Sequence, residues 1–147
     1  MSLWYTAGFL AAVAVAWLAA IIHVSGHAPI GLLSLGVGIA LGAILTGIAA
    51  SQRLAGGRRL VAGTVILALV AVLAEHAWLY RDFRRQWHEA RARSPEAALF
   101  RPETPWSPRE YFAHELTPQR AALWWIDAAL ITAAAAGTVA VMRREHE

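Results

Sequence analysis

The chain has 147 residues, is 58% hydrophobic and 16% charged, and has a mean hydropathy of +0.45. A soluble domain carries about 25% charged residues, and none of this length could bury a run such as Met1 to Gln52, which holds no Asp, Glu, Lys or Arg. All 13 basic side chains are arginine and there is no cysteine, which excludes disulfides, iron–sulfur clusters and thiol chemistry.

A membrane span needs roughly 20 apolar residues to cross about 30 Å of hydrocarbon. Four segments qualify, at about 3–24, 30–50, 60–80 and 121–142. The fold class expected is therefore all-α: a polytopic membrane protein with four transmembrane helices in up-down order. Residues 1–147 form one membrane domain, and 81–117 is a short helical insertion between the third and fourth spans, extramembrane or interfacial. Met1-Ser2-Leu3 offers no basic n-region and the apolar stretch behind it is too long for a signal peptide, so 3–24 is read as a true span.

The first two spans are separated by Gly26-His27-Ala28-Pro29, where Pro29 suits the first turn of a helix because that position needs no N–H donor. Gln52 to Arg59, with Gly56-Gly57, makes the second turn. Both connections are short, so spans one, two and three are expected to be sequential antiparallel neighbours.

The second span carries Ser34, Gly38, Gly42, Thr46 and Ala50, small residues four apart. Such a stripe lets two helix backbones approach closely where the bilayer supplies no hydrophobic drive. An internal helix contact is the first reading of it, and a homodimer face the second.

Nothing breaks the third span after Tyr80, and helix-favouring sequence continues to about Arg93. Tyr80, Phe83, Trp87 and Ala90 fall on one stripe of that extension, and Arg81, Arg84, Arg85, His88 and Arg91 on another. Glu89 stands four residues before Arg93, the favoured order for a helical ion pair. The extension either projects beyond the membrane or bends along its surface. Ser94-Pro95, Ser107-Pro108 and Thr117-Pro118 each place a hydroxyl cap before a proline, the signature of a helix start. Short helices are expected from Pro95 to about Phe100 and from Pro108 to about Glu115, with the fourth span starting at Pro118. Glu110 completes a capping box with Ser107.

Ionisable groups inside a span cost about 2.5–3.5 kcal/mol on insertion scales and are functional candidates for that reason. Glu75 and His76 end the third span, Asp127 begins the fourth, His23 closes the first and His27 precedes the second. Up-down order brings all five toward one membrane face. Glu75 and Asp127 each lie roughly 8–9 Å inside their span ends. The structural reading is a set of interfacial side chains and a helix-dipole acid. The functional reading is a proton relay, an ion site, or a haem held by His23 and His76. The spacings match no metal motif, and no metal or other cofactor is expected. Enzyme patterns for nucleotide, acyl or metallopeptidase chemistry are absent, so the chain is not expected to be an enzyme.

The arginines flank the apolar segments, so the partner expected from a pI near 10.2 is anionic lipid rather than nucleic acid. A homodimer or another membrane protein is the further partner. Arginine without lysine, with abundant alanine, points to a GC-rich bacterial genome and hence a bacterial inner membrane. Arg53, Arg58, Arg59, Arg143 and Arg144 crowd one face and favour cytoplasmic termini. The eight arginines on the opposite face are spread over a longer segment with six acids. Five of the seven tryptophans lie on that opposite side, as an aromatic belt would. The role expected is structural or accessory: a membrane subunit that presents 81–117 to a partner. The alternative is a small proton-handling, ion- or haem-binding membrane protein.

Overall fold

A computed structural model of the chain describes residues 2–24, 32–52, 54, 58–93, 104–115 and 117–144. They form α1 (Ser2–Val24), α2 (Leu32–Ser51), α3 (Arg58–Arg93), α4 (Pro108–Glu115) and α5 (Pro118–Arg144). No strand occurs among the described residues. Helices α1, α2, α3 and α5 are long and apolar enough to cross a membrane. The expected helix from Pro95 to Phe100 and the turn at 26–29 lie outside the described residues.

The local signals act where they stand. With no breaker after Tyr80, α3 runs unbroken for 36 residues, about 54 Å at 1.5 Å per residue. Its polar extension is laced at i,i+4. Arg85 donates to Glu89 at 2.8 Å, Arg93 lies 3.5 Å from the same carboxylate, and Gln86 donates to Asp82 at 2.6 Å. The capping box closes at α4. The Ser107 backbone N–H donates to the Glu110 carboxylate at 2.8 Å, and the Glu110 N–H donates to the Ser107 hydroxyl at 3.3 Å. At α5 the Ala121 N–H donates to the Thr117 carbonyl at 2.8 Å, which makes Thr117 the cap before Pro118.

The order of the helices around the bundle corrects one expectation. α1 packs against α2 and α3, and α5 packs against the same two, while α2 and α3 barely touch across the diagonal. Consecutive position in sequence therefore does not make α2 and α3 neighbours. Trp4 is the physical reason. Its buried ring lies where a side chain on Gly63 of α3 would be, and its indole N–H donates to the Leu45 carbonyl of α2 at 3.3 Å. Gly8 is likewise pressed between Leu45 and Leu67. α1 is thus wedged between α2 and α3.

The closest contacts join helices that run the same way. Ser34, Gly38 and Gly42 of α2 meet Asp127, Ile131 and Ala135 of α5 in ascending order. Trp4 and Gly8 of α1 meet Gly63 and Leu67 of α3 in the same sense.

Size, more than polarity, separates inside from outside. The buried side chains include Ala12, Ala16, Ala68, Ala71 and Ala135 around a few larger ones such as Leu41, Leu45 and Val139. Large apolar side chains point outward instead, among them Phe9, Leu10, Ile39, Ile66, Leu73 and Trp125. Buried or half-buried hydroxyls fold back on their own helices: Thr46 donates to the Gly42 carbonyl, Thr64 to Leu60 and Thr138 to Ala134.

Candidate functional site

The small-residue stripe of α2 faces α5. A Cβ on Gly38 would stand 2.6 Å from the Ile131 carbonyl oxygen, and one on Gly42 would stand 2.7 Å from the Ala135 oxygen. No side chain fits at those distances, so glycine is what permits the approach. Ser34 heads the stripe and is buried; Thr46, further along it, is half-buried and turned onto Gly42.

Where the stripe reaches Asp127, contact becomes polar. The Ser34 hydroxyl donates to Asp127 Oδ1 at 2.7 Å. Glu75 finds its partner on α1: His23 Nδ1 lies 3.7 Å from Glu75 Oε1, with the Glu75 side chain 12% exposed and the His23 ring 60% exposed. The His76 Nδ1–H donates to the Val72 carbonyl at 2.8 Å, since a carbonyl can only accept. Its ring rests on Trp124 of α5.

Four of the five ionisable positions singled out in the sequence are therefore described, and they divide into separate contacts. Among the described residues no hydrogen bond or ion pair links Glu75 to Asp127. His27 lies outside the described residues. No group of three His, Asp or Glu side chains with metal-holding geometry occurs among the described residues. Sequence reasoning assigned Ser34 to packing and missed it as the partner of Asp127. The signal was present: a hydroxyl at the head of a small stripe, on a helix that lets α5 approach within hydrogen-bonding distance.

Above this polar layer, Tyr80 and Phe83 of the stripe read from the sequence gather an aromatic cluster from the 104–115 segment. Phe83 of α3 sits 5.7 Å from Trp106 and 4.9 Å from Tyr111, ring centre to ring centre. Tyr80 stands 5.2 Å from Tyr111, and its hydroxyl donates to the Trp106 carbonyl at 3.0 Å. Phe112 reaches Trp124 at 5.9 Å, which ties α4 to the start of α5. Such pairs add about 0.5–1.5 kcal/mol each beyond the area they bury. On the outer side of α4, the two hydrogen bonds from Ser107, side chain first and backbone second, hold the Glu110 carboxyl below its ordinary value.

Chemically, the polar layer offers a hydroxyl-bonded carboxylate, a carboxylate–imidazole pair and a second imidazole with one nitrogen committed to backbone. No family model, no curated protein and no solved structure matches this chain. The fold by itself defines, among the described residues, an all-helical protein with four helices long and apolar enough to span a membrane.

Proposed function

We propose that this chain is a multi-pass protein of the bacterial inner membrane, with four spans in up-down order and cytoplasmic termini. In this reading it is a structural or accessory subunit that holds residues 81–117 at the membrane boundary for a membrane-protein partner. One observation carries the reading. The Tyr80–Phe83–Trp106–Tyr111 cluster fastens α4 onto α3 beyond the apolar stretch, which makes a braced platform rich in the aromatic and arginine residues that interfaces favour. The outward-facing large apolar side chains on α1, α2, α3 and α5 support the bilayer part of it, because water would leave so much apolar surface unfavourably exposed.

Photo-crosslinking side chains at Arg109 and Trp106, introduced in the native membrane, test the proposal. A discrete protein adduct at these positions, absent with the crosslinker at Leu73, supports it. Adducts to lipid alone overturn it. An alkaline phosphatase fusion at the C-terminus tests the orientation, and activity there would place the termini outside.

A second reading, a proton-handling, ion- or haem-binding protein, draws support from the carboxylate–imidazole pair of Glu75 and His23, whose Oε1 and Nδ1 lie 3.7 Å apart. An optical spectrum and metal analysis of the purified protein test it. A haem band or stoichiometric metal would replace the scaffold reading with this one.

A further inference from the structure

Between α1 and α3, the helices that the His23–Glu75 pair also joins, runs a groove of about 420 Å³ that is open along one side. Its walls change character along its length. Trp17 and Ile21 of α1 and Trp78 of α3 line it with apolar surface, Arg81 and Asp82 come one turn further along α3, and Arg85 two turns further. The Arg81 guanidinium lies 5.0 Å from the centre of the Trp78 ring. That contact holds the cation over the apolar part of the groove by attraction to the ring face. Among the described residues Arg81 has no carboxylate partner. Arg85 shares Glu89 with Arg93, and Asp82 is engaged by Gln86.

An apolar channel ending in guanidinium groups at the end of an apolar span matches an amphiphile with a chain and an anionic head. We propose that this groove binds a phospholipid with an anionic headgroup, its phosphate between Arg81 and Arg85 and one acyl chain along Trp17, Ile21 and Trp78. The proposal rests on the membrane reading above. Arg81 is the principal contact. Its planar fork matches phosphate oxygens, and its stacking on Trp78 orders it before the lipid arrives. A zwitterionic lipid would supply the same chain but would bring its own cation to the arginines. Arg81, Arg85 and Arg93 less Asp82 and Glu89 leave one net positive charge, which corresponds to about a fivefold preference for the anionic lipid.

The test reconstitutes the full chain in bilayers that contain phospholipids with brominated chains, which quench tryptophan emission on contact. In the unaltered protein, brominated phosphatidylglycerol quenches at about one fifth the mole fraction needed for brominated phosphatidylcholine. The paired variant Arg81→Gln/Arg85→Gln abolishes that preference, while Arg58→Gln/Arg59→Gln, at the start of α3, leaves it intact. Equal quenching by the two lipids in the unaltered protein overturns the proposal without recourse to any variant. So does a preference that both variant pairs lower alike, which would mark diffuse surface charge, or one that inorganic phosphate competes away, which would mark a phosphate site without a lipid. A chain that stays in solution without detergent and never enters bilayers instead overturns the four-span reading beneath it.

Discussion

The Ser34 hydroxyl on α2 donates a 2.7 Å hydrogen bond to the Asp127 carboxylate on α5, across 93 positions of sequence. It ties an acid in an apolar helix to the helix that the glycine stripe brings closest. Hydrogen bonds across membrane helices are worth about 0.6–2 kcal/mol, so Ser34→Ala is expected to lower stability in detergent by that amount. Asp127→Asn keeps an oxygen that can accept and should cost less. In a double-mutant cycle between Ser34→Ala and Asp127→Ala, the measured coupling should equal most of the single loss. Strict additivity would show that the contact contributes nothing.

The glycines of α2 separate by environment. Gly38→Ala and Gly42→Ala must push α5 away, because the new methyl meets backbone oxygens at 2.6 and 2.7 Å. Each should destabilise by about 1–3 kcal/mol. Gly36 and Gly47 on the same helix have nothing within 4 Å of an added Cβ. Alanine there should be neutral or stabilise by up to about 1 kcal/mol through helix propensity. Thermal melts of the four variants in one detergent check the contrast, and equal effects at all four would refute the assigned face.

Thr132 on α5 has its hydroxyl enclosed with no hydrogen-bond partner among the described residues. An unmet buried polar group costs roughly 1–3 kcal/mol. Thr132→Val, close in shape, is expected to raise stability by about 1 kcal/mol. A loss on the same melt would mean that the hydroxyl is satisfied in the folded protein.

The cap of α4 should depend on pH. The Ser107 hydrogen bonds lower the Glu110 pKa from 4.5 in the folded state. The sign follows from linkage: the contribution is fully present above the unfolded value and is lost as pH falls through the folded one. Hydrogen exchange at the first amides of α4 should therefore be slow near neutrality, after correction for intrinsic rates, and accelerate below about pH 4.5. Glu110→Gln keeps an acceptor for Ser107 and should remove that pH dependence. An unchanged acid profile in Glu110→Gln would assign the effect to another group.

The sequence by itself determined the four long helices, the unbroken course of α3 past Tyr80, the box at Ser107 and Glu110 and the start of α5 at Pro118. Each depends on residues within one or two turns of one another, so local apolar length and capping chemistry decide them. Tertiary structure alone decided who meets whom: α2 lies against α5 and not α3, Asp127 takes Ser34, Glu75 takes His23, and Phe83 gathers Trp106 and Tyr111. The physical reason lies in helices that are apolar on every side. Polarity does not mark their inner face, and the inner face is chosen by fit, by where Gly38, Gly42 and Gly63 let a neighbour approach and where Trp4 fills the space between α1, α2 and α3.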